Sequence, residues 1–231
     1  MFQQIIVITG GNTGLGFHAA EDFARRGAGS VILACRSTVR GNEAAVKIRE
    51  TTGFQNIEVL QLDLANLENV RKFSQILKEK YSSIDCLVCN AGVWFPMNQN
   101  AKTEDHLEMN TGVNHLGHFL LTNLLISNLK RVVVVSSGLM MSGKIDMDDS
   151  RQFIDGRKPK EGEKGPKHAP IGYCDSKLMN AMFARELAER HQVKKWVALA
   201  KSELHENWDL YAYFWQPQSI SQFIFSLQIH F

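Results

Sequence analysis

The chain opens on a strand, a glycine-rich turn and a helix in immediate succession, and few folds accommodate that order. Ile5-Ile6-Val7-Ile8 is a short β-branched apolar run, which reads as a buried strand of a parallel sheet. Thr9-Gly10-Gly11-Asn12-Thr13-Gly14-Leu15-Gly16 follows at once, and then a helix-like stretch from Phe17 to Arg26. The glycines permit a tight turn and a close approach of backbone to phosphate. The helix N-terminus presents free N–H groups and the positive end of its dipole. Strand, turn and helix in this order are the context a dinucleotide site requires, with Gly10, Asn12, Thr13, Gly14, Leu15 and Gly16 as candidate binding residues. The spacing is Gly-x-x-x-Gly-x-Gly, not the commoner Gly-x-Gly-x-x-Gly.

The second strand, Ser30 to Ala34, runs into Cys35-Arg36. An acidic residue at this strand end would hold the ribose 2′-hydroxyl of NAD. None stands at the tip. Arg36 instead offers a planar guanidinium fork suited to a 2′-phosphate, with Arg40 a second candidate. NADP (NADPH) is therefore the expected cofactor in preference to NAD.

Strand and helix signals alternate onward to about residue 192. Gly41 to Thr52 reads as helix, Ile57 to Gln61 as strand, and Leu67 to Tyr81 as an amphipathic helix with Val70, Phe73 and Leu77 on one face. Ile84 to Cys89 is a strand, Thr103 to Asn128 a long helix or a broken pair, and Arg131 to Ser136 a strand. Tyr173 to His191 is a helix whose Leu178, Met182 and Leu187 point inward. Such alternation predicts an α/β fold: a doubly wound parallel sheet with right-handed crossovers, Rossmann-like. The length of 231 residues fits one domain, with 1–192 as the nucleotide-binding and catalytic part and 193–231 as a C-terminal segment of it.

Tyr173-Cys174-Asp175-Ser176-Lys177 carries the chemistry. A tyrosine and a lysine four apart share a helix face, one turn from each other. An ammonium beside a phenol favours phenolate, so the Tyr173 pKa is expected to fall from its ordinary value of about 10. That would make the phenol a proton donor or acceptor near neutral pH.

With these residues in view, the chain resembles the short-chain dehydrogenase/reductase family, and within it the retinol dehydrogenase-like and WW-domain-oxidoreductase-like branch. The matching pieces stand in family order. They are Thr9 to Gly16, Ala34-Cys35-Arg36, Leu62-Asp63-Leu64, Asn90-Ala91-Gly92, Val113 to Phe119, Val135-Ser136-Ser137, and Tyr173 with Ser176-Lys177. The resemblance implies that Tyr173 is the proton donor or acceptor, and that Lys177 lowers its pKa and binds the nicotinamide ribose. It implies that Ser137, rather than Ser136, hydrogen-bonds the substrate oxygen, and that Asn114 helps hold a water linking Lys177 to solvent. Asp63 and Leu64 would lie near the adenine, and Asn90, Ala91 and Gly92 would line the cofactor cleft. The implied activity is interconversion of an apolar alcohol and its aldehyde or ketone, of the retinoid, steroid or lipid carbonyl class. A homodimer through the helices of Asn114 and Tyr173 is implied by analogy.

Other function classes are disfavoured. With 26 basic and 24 acidic residues, net +2, there is no electrostatic case for a nucleic-acid partner. Cys35, Cys86, Cys89 and Cys174 form no spaced framework, which suits a reducing compartment; Cys86 and Cys89 read as buried small hydrophobes. His115 and His118 lack a third ligand at metal-site spacing. No run of about 18 apolar residues occurs, and the first strand begins too close to Met1 for a leader or anchor. The expected location is cytoplasmic, with peripheral membrane association compatible. Arg157 to Lys167 reads as a mobile loop, a lid over substrate or a tolerated insertion. After about Val193 the family pattern is lost, and no Pro-Gly turn follows. An altered or incomplete C-terminus is expected, and with it the alternatives of a non-catalytic nucleotide-binding or regulatory protein, or an inactive isoform. A sugar-nucleotide epimerase shares the Tyr-x-x-x-Lys pair but not the glycine spacing. Fluorescence titration with NADPH and NADH in parallel is expected to show selective NADPH binding; a preference for NADH would overturn the assignment of Arg36.

Overall fold

In the computed structural model the described residues are 4–95, 101–158, 170–190, 194–200, 210–213 and 224–226. In chain order the elements are β1 (Ile5–Thr9), α1 (Gly14–Arg25), β2 (Ser30–Cys35), α2 (Thr38–Thr52), β3 (Ile57–Gln61), α3 (Leu67–Lys80) and β4 (Cys86–Cys89). There follow α4 (Met109–Thr111), a π-helical segment Gly112–Leu116, α5 (Gly117–Leu125), β5 (Arg131–Ser137), a 3-10 turn Gly138–Ser142, α6 (Gln152–Asp155), α7 (Ile171–Arg190), β6 (Lys194–Ala200), β7 (Leu210–Tyr213) and β8 (Ile224–Ser226). Two compact units emerge: Met1–Gly92 with Gly117–Val132, and Val93–Leu116 with Val133–Phe231.

The first unit is the Rossmann-like α/β fold that the alternating pattern predicts. Its strands lie in the order β3-β2-β1-β4. All three pairings are parallel, with Ile6 beside Val31 and Cys86, and Ile32 beside Glu58. Buried parallel strands need apolar side chains on both faces, and Ile6, Val7, Ile8, Val31, Ile32, Leu33 and Leu87 are all buried. α1 packs with α2, and α3 with α5. The Val70, Phe73 and Leu77 face of α3 is buried as its period predicts. Local signals set the helix ends. The Ser37 side chain accepts from Arg40 N at the start of α2, Asn66 does the same for Asn69 N at α3, and Gly53 closes α2 at φ 73°.

The strand order reverses direction at β1 and β4, the last two strands of that series. Ligands in open α/β sheets bind at the carboxyl ends of the strands flanking such a reversal. Here those ends carry the glycine turn after β1 and Asn90-Ala91-Gly92 after β4.

The second unit holds strands in the order β5-β6-β7-β8. β6 pairs antiparallel with β7, and β7 with β8. The aromatic tail that shows no clear period in sequence thus contributes two short strands, with Tyr211 in β7 and Phe225 in β8. Trp208, Phe214 and Trp215 lie outside the described residues, as does most of the expected lid, including Lys160, Lys164 and Lys167.

Two expectations need correction. The helix expected from Thr103 begins only at Met109, because Thr103 and the residues after it form a turn in which Thr103 N donates to Leu107 O and His106 N to Thr103 O, with His106 at φ 62°. Met182 points outward, 49% exposed. The buried stripe of α7 runs through Ser176, Met179, Phe183 and Leu187, spaced at three or four residues. Among the described residues no helix is long and apolar enough to cross a membrane.

Leu87→Ala, in the fully buried core of β4, is expected to lower unfolding stability by about 2–5 kcal/mol. Chemical denaturation of the two proteins checks this.

Candidate active site

The glycine turn of the first unit is shaped for close approach. Gly10 and Gly14 sit at φ +65° and +54°, which an L side chain adopts only with strain. A Cβ on Gly16 would lie 2.5 Å from Asn90 Nδ2 and from Gly10 O, and one on Gly10 would lie 3.0 Å from Ala91 Cα. A Cβ on Gly14, by contrast, would meet nothing within 4 Å, so the turn is open there. The N-terminus of α1 is uncapped: Thr13 makes no side-chain cap bond, and no acid stands in the first turn. α2 and α3 do have side-chain caps. Uncapped N–H groups, a dipole end without a competing carboxylate, and open space over glycine fit a pyrophosphate.

Asn90 and Ala91 are tied to β1. Thr9 Oγ1 accepts from Asn90 N and Ala91 N, both at 2.9 Å, and Asn90 Nδ2 donates to Thr9 O at 2.9 Å. Cys35 Sγ accepts from the Gly11 and Asn12 main chain, and burial pushes its thiol up to about 11, which leaves it inert at neutral pH. Arg36, directly after β2, and Arg40 are both exposed. Asp63 turns one carboxylate oxygen onto Ala65 N at 2.9 Å. Leu64 is buried, and its carbonyl would lie 2.8 Å from a Cβ on Gly117, so it packs closely on α5.

The second unit assembles the expected proton-transfer residues. Helix α7 places Tyr173, Ser176 and Lys177, and β5 ends in Ser136 and Ser137. Ser137 hydrogen-bonds the Tyr173 phenol, and its Oγ also accepts from Leu139 N at 3.2 Å. Ser136 donates to Lys177 O at 2.6 Å. Ser136 is therefore committed to holding α7 on β5, whereas Ser137 faces the phenol. Lys177 Nζ donates to Val135 O at 3.3 Å and lies 5.5 Å from the centre of the Tyr173 ring.

One expectation is reversed. The Tyr173 pKa is raised, not lowered: burial opposes phenolate, and the Ser137 hydrogen bond offsets this only in part. Lys177 supplies none of the expected lowering; its Nζ donates to Val135 O. Desolvation pulls Lys177 down to about 8, so its own charge is weakly held.

Sequence reasoning missed a pair of amide clamps. Asn114 Oδ1 accepts from Val93 N at 2.7 Å, and its Nδ2 donates to Val93 O at 3.0 Å and to Ser176 Oγ at 3.1 Å. Asn110 repeats the pattern on Phe95, accepting at 2.9 Å and donating at 3.0 Å. Four helical residues rise about 6 Å and two extended residues about 6.6 Å. Asparagines at i and i+4 can thus serve peptides at j and j+2 like a short sheet ladder. The Asn-x-x-x-Asn spacing was the available signal. Both clamps sit in or next to the π segment, and Glu108 seats that helix by accepting from Asn110 N and Thr111 N at 3.0 and 2.7 Å. The clamps fix Trp94, whose ring lies 4.6 Å from that of Tyr173. A second missed residue is Asn180. Its Nδ2 donates to Val135 O at 3.1 Å, the carbonyl Lys177 uses, and its Oδ1 faces His115 Nδ1 at 3.2 Å. Burial pulls His115 down to about 4, so it is neutral, with the Nδ1 proton toward Asn180. His118 is engaged elsewhere, with Thr9.

Residues 4–147 match the family model described as short chain dehydrogenase. The chain is 41% identical over 192 residues to human retinol dehydrogenase 11, covering 81% of this chain and 56% of that protein. It is 39% identical over 208 residues to human retinol dehydrogenase 14, covering 82% and 58%. The chain thus spans about half the length of the curated relatives it matches. Among solved structures, an oxidoreductase from E. coli superposes with TM-score 0.61 at 26% identity, covering 83% of this chain and 72% of that one. A provisionally assigned short chain dehydrogenase from Shigella flexneri, solved with NADP, gives 0.62 at 25% identity, covering 83% and 73%.

Lys177 generates a pH-dependent prediction. Its folded pKa of about 8 lies below the unfolded value of about 10.4. Between the two, the unfolded chain binds more protons, so this residue makes stability rise with pH, by up to about 1.4 kcal/mol per unit. The buried cysteines, pushed up to about 11 or 12, act in the opposite sense. The readout is therefore a difference: wild type is expected to gain on Lys177→Met as pH rises from 8 to 10, measured by denaturation at each pH.

Proposed function

The chain belongs to the short-chain dehydrogenase family, and from that premise we propose that it is an NADP-dependent oxidoreductase interconverting an apolar alcohol and its aldehyde or ketone. The observation that carries this reading is the Tyr173 phenol hydrogen-bonded to Ser137, with a buried Lys177 of weakened charge on the same helix. Two hydroxyls that share a hydrogen bond can converge on one substrate oxygen.

Tyr173 holds the transferable proton at its hydroxyl. In the reducing direction it gives that proton to the carbonyl oxygen; in the oxidising direction it takes one from the alcohol. Ser137 donates to the same oxygen as negative charge develops there, an interaction of about 3 kcal/mol when such a donor is aimed at the transition state. Lys177, at a pKa of about 8, can exchange a proton near neutral pH. A bound nicotinamide dinucleotide supplies the hydride and, when oxidised, a positive charge. Asn114 acts on this site through the main chain it clamps at Val93 and through Ser176.

The residues that would hold the dinucleotide are Gly10, Asn12, Thr13, Gly14, Leu15 and Gly16 at the phosphates, Arg36 at the 2′-phosphate, Asp63 and Leu64 toward the adenine, and Asn90, Ala91 and Gly92 beside the glycine turn. The open, uncapped start of α1 and the fork of Arg36 support this. The retinol dehydrogenase names of the relatives support an apolar substrate of the retinoid, steroid or lipid carbonyl class.

Tyr173→Phe is expected to cut turnover of an apolar aldehyde by about 10²–10⁴-fold while NADPH binding, followed by fluorescence, stays within about twofold. Undiminished turnover would sink the mechanism.

A further inference from the structure

Trp94 is a large apolar side chain left 46% exposed, which on a loop would be unremarked. Its surroundings set it apart. The peptides on either side are each held at both N–H and C=O, Val93 by Asn114 and Phe95 by Asn110. Both asparagines are buried. The backbone carrying Trp94 thus cannot drift without breaking two paired clamps. One part of the indole rests against Tyr173, with ring centres 4.6 Å apart and planes tilted by 43°. The remainder faces outward.

We propose that Trp94 is a specificity-determining wall of the substrate site, favouring, among apolar carbonyl compounds, those that carry a flat conjugated group on the carbonyl carbon, of which an aromatic ring is the simplest probe. The proposal rests on the oxidoreductase reading of Tyr173. A carbonyl oxygen that reaches the Tyr173 hydroxyl brings its substituents alongside that ring. There the indole offers an aromatic face already fixed in place. A planar ring can stack on it with little further ordering, whereas a puckered ring of the same carbon count contacts it at fewer atoms. Because the clamps fix the backbone that carries the indole and the ring already rests on Tyr173, less of the gain is lost to freezing a mobile side chain.

The test uses the full chain with NADPH and two aldehydes of equal carbon count, benzaldehyde and cyclohexanecarbaldehyde. Kinetics are compared for wild type, Trp94→Leu and Trp94→Phe, each first shown to melt cooperatively. The ratio of kcat/KM for the two aldehydes cancels their intrinsic reactivities between variants. Trp94→Leu is expected to lower the preference for benzaldehyde by about three- to tenfold, chiefly through KM for benzaldehyde. Trp94→Phe is expected to keep most of it. An unchanged ratio in Trp94→Leu overturns the proposal and leaves the oxidoreductase reading standing. Saturation-transfer NMR with NADP present reads binding independently of turnover. Benzaldehyde binding that weakens in Trp94→Leu, in a chain that reduces neither aldehyde, upholds the wall and counts against the reading of Tyr173 alone. Wild type that binds both aldehydes equally, or neither, overturns the proposal.

Discussion

The hydroxyl of Thr9 joins the two strand ends on which the glycine turn depends. Thr9 is fully buried at the end of β1, and its Oγ1 accepts from Asn90 N and Ala91 N. Those two bonds use both lone pairs. Its one proton then goes to His118 Nε2 at 2.8 Å in preference to Val88 O at 3.3 Å, which places the His118 proton on Nδ1. A valine here would match the shape but leave two buried main-chain donors unsatisfied, each costing about 1–3 kcal/mol. The glycines follow from the same junction. Once Asn90 and Ala91 are held this close to β1, Gly10 and Gly16 have no room for a Cβ.

The second unit solves a similar problem with amides. Val93 and Phe95 lie outside any strand, and buried peptide groups must be paired. Asn110 and Asn114 supply that pairing from one helix. Every donor has a named acceptor: the amide protons of Asn114 go to Val93 O and Ser176 Oγ, and those of Asn110 to Phe95 O and Glu108 Oε1. The same helix start explains a glycine on α7, since a Cβ on Gly172 would lie 2.9 Å from the Glu108 carboxylate. The buried pair Arg157 and Asp175 adds a further tie, with Asp175 also accepting from Lys144 N at 2.7 Å. Tyr173 and Lys177 are thus carried on a helix held from several directions by buried polar contacts. That enclosure is also what desolvates them.

Much of this was legible before any coordinates. Five strands and the helices between them follow from periodicity and from glycine and asparagine punctuation, because backbone geometry at each point depends on near neighbours. β3 matches its expected bounds, and α3 differs from them by one residue. The preference for Ser137 over Ser136 came from resemblance and has a structural reason, the bond from Ser136 to Lys177 O. The failures share a cause. Met182 faces out because burial on α7 depends on which of several apolar stripes meets the rest of the fold. The turn at Thr103 replaces helix because its own side chain and main chain satisfy Leu107 locally.

The sequence by itself determined the order of elements, the glycine turn, the Arg after β2, and the presence of a tyrosine and a lysine one helical turn apart. These are matters of spacing along the chain, and local sterics and hydrogen bonding decide them. Only the tertiary structure decided the sign of the Tyr173 shift, the neutrality of His115, and the position of Trp94 against the phenol. Spacing alone argued for an ammonium acting on a phenol through a solvent-like surrounding. Desolvation is a sum over every atom that displaces water, most of them distant in sequence, and here it outweighs the lysine.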